Sequence, residues 1–177
     1  MKSPARNCGG GPPTDCDETR NSPPRILVLG YGNPLRSDDG LGWHAAERLA
    51  ETLSDANAEI RTLSQLTPEL ALPISEASLV IFIDANREGE PGELICAQVT
   101  PHLLPVRFSH ELSPEAVLAL SKYMYGVSPP AFLVSLCGQC FNLGEELSPL
   151  IAAQLPRLVN LVNQLAESGL SPAATLS

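Results

Sequence analysis

Positive charge is what this chain has least of. Its 177 residues carry 11 Lys and Arg against 20 Asp and Glu, a formal net charge of -9. Nucleic acid is bound through phosphates, which need a basic face, and no Lys/Arg-rich run supplies one, so nucleic acid is not an expected partner. Long hydrophobic runs are also missing. Leu79–Ile83 is among the longest, far short of the ~20 apolar residues that cross a bilayer, so no membrane partner is expected. Residues 1–24 contain three consecutive glycines, two Pro-Pro pairs and scattered charge but no apolar block. A secretory signal needs an apolar core of at least ~7 residues. The segment therefore reads as a disordered extension, and the cytoplasm is the default location.

A disulfide framework is not expected either. The five cysteines, Cys8, Cys16, Cys96, Cys137 and Cys140, are odd in number in a chain without an export signal. Cys137-Gly-Gln-Cys140 has CxxC spacing, but a structural zinc site wants a second ligand pair. A redox pair would open a helix directly after a strand, which Phe141-Asn-Leu-Gly144 does not do. The cysteines read as buried fillers at a strand end, with a metal or redox role as the lesser reading.

What remains is ordinary globular material, 44% hydrophobic and 18% charged. It fits one domain over residues 25–167, with residues 168–177 fraying. The organising stretch is Ile26–Gly42. Four apolar residues, Ile26 to Leu29, suit a strand buried on both faces of a parallel sheet. A Gly-Tyr-Gly-Asn-Pro turn follows, then Ser37-Asp-Asp39, then a helix from about Gly40 to Leu53 with Leu41, Ala45, Leu49 and Leu53 along one face.

The alternation continues along the chain. Glu59–Leu63 is a short strand. Thr67-Pro68 opens a short helix by the cap-then-proline rule, and Pro73 limits or bends it. Ser78–Ala85 is a strong strand that ends on Asp84, and Glu93–Val99 looks like its hairpin partner or an antiparallel edge strand. A proline-interrupted loop spans 102–109. Ser113-Pro114 opens a helix, Ala131–Leu136 is the last core strand, and Ser148-Pro149 opens a final amphipathic helix with Leu150, Leu155, Leu158, Leu161, Val162 and Leu165 on its apolar face. The order βαβαββαβα predicts an α/β fold, a three-layer α/β/α sandwich around a mainly parallel sheet with an antiparallel edge or hairpin strand.

Parallel strands place their carboxyl ends at one edge, where such folds bind ligands. Asp38 and Asp39 follow the first strand, Asp84 ends the strong strand, and His110 precedes the Ser113 helix. Two carboxylates and an imidazole form a plausible ligand set for a divalent transition metal, able to polarise a carbonyl and activate water. Each has a plainer reading. Asp39 caps a helix, Asp84 is a strand-to-turn residue, and His110 is a surface histidine. The glycines also resemble a dinucleotide fingerprint, but position 35 is Leu where the third glycine belongs, Pro34 sits in the turn, and the aspartates would lie beside phosphate. Gly30 and Gly32 read better as turn-makers that deliver Asp39 toward Asp84 and His110. Asn33 braces the turn with its side chain, and Asp38 caps the helix.

Gly30-Tyr-Gly-Asn-Pro-Leu-Arg-Ser-Asp-Asp-Gly-Leu-Gly42, with Phe82-Ile-Asp-Ala85 and Ser109-His-Glu-Leu-Ser113, resembles the signature of the hydrogenase maturation endopeptidases over roughly residues 25–165. That family finishes the large subunit of NiFe hydrogenases. The resemblance implies that Asp39, Asp84 and His110 bind the nickel already held by the large-subunit precursor, and that a short C-terminal peptide is then removed. Nickel would thus be supplied by the substrate, with another divalent metal able to replace it in vitro. Separately from the resemblance, the chain is expected to be a monomer. Gln65–Ala71 is similar to the version in members that serve bidirectional or cyanobacterial-type hydrogenases. Members of this kind have carried an aspartic-protease label, which rests on the carboxylates. A nickel-dependent chaperone of the same fold, without proteolysis, and a Rossmann-like nucleotide-binding enzyme are the alternatives.

Overall fold

A computed structural model describes residues 25–53, 57–102 and 112–168. The expected N-terminal extension, most of the 102–109 loop, His110 and the C-terminal tail from 169 lie outside the described residues.

Five strands form one sheet in the order β2-β1-β3-β5-β4. These are β1 (Ile26–Tyr31), β2 (Ala58–Leu63), β3 (Leu79–Asn86), β4 (Leu94–Gln98) and β5 (Ala131–Cys137). The β1–β2, β1–β3 and β3–β5 pairs are parallel, and β4 runs antiparallel to β5 at the edge. The mainly parallel α/β architecture is therefore as the alternation of elements predicts. Two details differ. β4 pairs with β5 and not with β3, so the hairpin alternative is replaced by an edge strand; α3, between β4 and β5 in sequence, separates the two partners. β3 also continues past Asp84, since Asn86 still pairs with Cys137. A neighbour on that side keeps the backbone extended for two more residues.

The helices are α1 (Leu41–Thr52), α2 (Ala71–Ser75), α3 (Pro114–Tyr125) and α4 (Pro149–Ser168). Successive side chains of a strand point to opposite faces, and the core divides accordingly. Val28, Ile81, Ile83, Val134 and Leu136 pack with Leu41, Ala45 and Leu49 of α1 and with Ile151, Leu158 and Val162 of α4. Leu27, Leu29, Val80 and Phe82 pack instead with Leu70, with Ile74 of α2, and with Val117 and Leu118 of α3. This arrangement is three layers. Fully burying each such Leu, Ile or Phe contributes roughly 1.5–3 kcal/mol before ordering entropy is subtracted.

Ser113 caps α3 by accepting from the Ala116 amide at 3.3 Å. Thr67 makes no equivalent bond; its side chain goes to Glu69 and holds that carboxyl below the usual range. The segment it precedes is a 3-10 turn, Pro68–Leu70, running into the five-residue α2. Pro73 falls near the start of α2, where a missing amide is least missed.

Candidate active site

Gly30 of β1 pairs with Ile83 of β3, so Asp84 follows directly where the two strands deliver their carboxyl ends side by side. Strand β1 lies between β2 and β3: the chain passes from β1 through α1 to β2 on one side, then crosses back through α2 to β3 on the other. A ligand crevice opens at such a switch point. The crevice has a volume of about 680 Å³, and its walls include Gly32, Asn33, Arg36, Asp39, Asp84, Arg87, Glu88 and Leu112.

The turn after β1 is built from close backbone contacts. Gly32 has φ 125°, and a Cβ there would lie 2.0 Å from the Asp39 carbonyl oxygen and 3.8 Å from Asp84 Oδ1. Only glycine allows that approach. The Asn33 side chain accepts from the Leu35 amide at 3.0 Å, and its carbonyl accepts from the Arg36 amide at 3.1 Å. Trp43, from α1, donates its indole N–H to the carbonyls of Gly32 and Leu63, at 3.1 and 3.2 Å, which ties the ends of β1 and β2 together.

Asp38 and Asp39 lie in a 3-10 turn, Ser37–Gly40, that leads into α1. They face opposite ways. Asp38 is fully buried and does not cap the helix: neither the 3-10 turn nor α1 has a side-chain cap bond. Its Oδ2 accepts from the amides of Gln139 and Cys140 at 2.8 Å each, and from the Ser148 hydroxyl at 2.9 Å. Its Oδ1 accepts from the Ser148 amide at 2.7 Å. The expected helix cap is therefore a brace for the loop between β5 and α4. That loop offers four donors to a carboxylate, a stronger claim than the first turn of α1 makes.

Asp39 turns into the crevice. Its Oδ2 accepts from the Asn33 amide at 3.2 Å, and its Oδ1 pairs with Arg87 Nη2 at 3.0 Å. Asp84 accepts from the amide of Ala85 at 2.8 Å through Oδ1. Asp39 and Asp84 thus share one cleft, while His110 lies outside the described residues. Leu112, two positions after it in sequence, lines the same cleft. Among the described residues no group of three His, Cys, Asp or Glu side chains is placed to hold a metal. The two carboxylates give hard oxygen donors suited to a divalent ion that brings other ligands with it. Glu88 adds a third carboxylate to walls that also hold Arg36 and Arg87, a net negative lining that disfavours a pyrophosphate.

Cys137 is buried and Cys96 and Cys140 are partly buried, all as free thiols. Cys137 donates to the Glu88 carbonyl at 3.0 Å. Burial, and next the nearby Glu93, push its thiol pKa up; burial does the same for Cys96. A raised thiol is the reverse of what a redox nucleophile needs.

Arg36, Trp43 and Arg87 were not singled out by sequence reasoning. The signal for Arg87 was present, since a lone cation follows the acidic strand end by three residues. Nothing in the spacing says that it reaches back to Asp39.

No protein-family model matches the chain. It is 32% identical over 167 residues to the hydrogenase expression/formation protein HupD of Rhodobacter capsulatus, an alignment covering 88% of this chain and 79% of that protein. Its fold is similar to the crystal structure of the NiFe hydrogenase maturation protease HycI from Thermococcus kodakarensis KOD1, at 31% identity and a TM-score of 0.63, over 81% of this chain and 92% of the other. The hydrogenase maturating endopeptidase HybD from E. coli gives 26% identity and a TM-score of 0.62, over 82% and 94%. With this cleft at its switch point and these relatives, the chain belongs to the hydrogenase maturation protease family and is a peptidase.

Proposed function

We propose that this protease removes a C-terminal peptide from the large-subunit precursor of a NiFe hydrogenase, and that Asp39, Asp84 and His110 recognise the nickel the precursor already carries. The observation that supports this reading is the convergence of Asp39 and Asp84 on one cleft. The nickel is part of the substrate. Two carboxylates and one imidazole hold that ion weakly by themselves, whereas the thiolates of a partner hold it well. Cleavage then depends on metal occupancy, because an empty precursor offers no ion to bridge the two proteins.

Peptide hydrolysis adds water across the scissile bond. The water oxygen bonds to the carbonyl carbon, the C–N bond breaks, a carboxylate is left on the large subunit and an amine on the released peptide. The cleft is roomy enough for an extended tail of a few residues, with Arg36, Arg87 and the Gln65 segment in its walls.

Mass spectrometry of a nickel-loaded precursor, before and after incubation with the full chain, tests the proposal. The expected result is a mass loss equal to a C-terminal peptide, absent when the precursor is nickel-free. Equal cleavage of both forms would overturn nickel recognition. Nickel-dependent complex formation without any released peptide would leave the chain a chaperone in its action on that precursor.

A further inference from the structure

Arg87 leaves β3 three residues beyond Asp84 and meets Asp39 across the cleft, with Nη2 3.0 Å from Oδ1. Its guanidinium carbon sits 4.2 Å above the centroid of the Phe141 ring. Phe141 is itself fixed. Its carbonyl accepts from Nε and Nη2 of Arg36 at 3.3 and 3.2 Å, and its ring lies 2.4 Å from where a Cβ at Gly138 would be. Arg87 is 53% exposed, so solvent weakens the ion pair. The carboxylate and the aromatic ring nevertheless give the planar fork two separate contacts, an arrangement that suits Arg and not Lys.

A fixed cation against Asp39 acts in two ways. It orients Oδ1, and it puts a positive charge where a second cation must approach. We propose that Arg87 is a specificity-determining residue of this cleft: it positions Asp39 while disfavouring free divalent ions, so that the two carboxylates engage a metal presented by a protein and not metal from solution. The inference rests on the reading of Asp39 and Asp84 as metal-recognising groups. A bare ion in solution must displace or crowd the guanidinium unaided. A metal held on a docked partner is delivered with the contacts of the whole interface, which offset that repulsion.

The test is calorimetric titration of the full chain with nickel ion alone, at low ionic strength. Arg87→Gln and Arg87→Met remove the charge, and the second keeps an apolar stem over Phe141. Both are expected to bind nickel about tenfold more tightly than the unchanged chain, from the size of a repulsion between close charges in a mostly aqueous setting. Arg87→Lys keeps the charge and stays near the parent affinity. The gain shrinks in high salt, which screens an exposed charge pair. No gain in either uncharged variant, with melting temperatures matched to the parent, would overturn the proposal, as would a gain that high salt leaves untouched. A combined Asp39→Asn, Arg87→Gln chain is expected to lose the gain. If it binds nickel as tightly as Arg87→Gln alone, the ion is held elsewhere, and the metal-recognition reading fails together with this one. Weaker nickel binding by that double variant than by Arg87→Gln, with no gain of Arg87→Gln over the parent, sinks the role of Arg87 alone.

Discussion

Asp38 and Ser148, 110 positions apart, are joined by two hydrogen bonds: the serine amide to Oδ1 at 2.7 Å and its hydroxyl to Oδ2 at 2.9 Å. Together with the amides of Gln139 and Cys140, they surround the Asp38 carboxylate with four donors and no solvent. The neighbouring Asp39 is thereby free to face the cleft. Of the two adjacent acids, one is a structural anchor and the other is the candidate site residue.

Asp38→Asn tests the anchor. An amide turns two hydrogens toward groups that are themselves donors, and some lose their only partner in a buried place. A loss of about 2–4 kcal/mol in unfolding free energy is expected from chemical denaturation. A loss below ~0.5 kcal/mol would mean the loop finds other acceptors.

Asp39→Ala, Asp84→Ala and His110→Ala are each expected to lower peptide release by ~10²-fold or more while leaving the far-ultraviolet circular dichroism spectrum intact. Cleavage at the normal rate by any one of them removes that residue from the site.

Gly32→Ala and Gly126→Ala separate strain from position. Gly126 has φ 73° with nothing near its missing Cβ, so alanine there meets backbone strain alone, about 1 kcal/mol. At Gly32 the Cβ would also strike the Asp39 carbonyl at 2.0 Å, and the larger loss is expected there, ~2–4 kcal/mol. Displacement of Asp39 should lower peptide release further than the stability loss explains. Equal behaviour of the two variants would show that the close approach to Asp39 is dispensable.

The buried thiols make stability depend on pH in one direction. Cys137 and Cys96 have raised pKa values in the folded chain, so folding favours their neutral form. That contribution is complete below the unfolded thiol value of ~8.5 and is lost as pH rises through the folded value. Denaturation curves at pH 7 and pH 10 should show lower stability at the higher pH, with a smaller difference in Cys137→Ala. Iodoacetamide at pH 8 should modify Cys140 before Cys137; the opposite order would contradict the burial of Cys137.

Much of the fold was legible because it rests on local patterns. The apolar run Ile26–Leu29, the four-residue spacing of Leu41, Ala45 and Leu49, and the cap-then-proline start at Ser113 each encode their own element. The partner of β4 was not legible, since pairing with β5 is decided by a contact across α3 and not by the short link from β3. The job of Asp38 was hidden for the same reason: its partners lie about 100 residues downstream, while the helix it was expected to cap is adjacent. The pairing of the Asp39 and Asp84 walls followed from parallel topology, but Arg87 as a cation held on Asp39 needed three-dimensional distances.

The long sequence separation between Asp38 and the 139–148 loop bears on when this protease becomes competent. Contacts that close large loops are entropically expensive and form late relative to local ones. A chain folded only through β3 already contains Asp39 and Asp84 but lacks the Gln139, Cys140 and Ser148 donors that hold the Asp38–Asp39 turn. Competence is thus tied to arrival of the C-terminal third, and a nascent or truncated chain carries its acidic residues without their geometry.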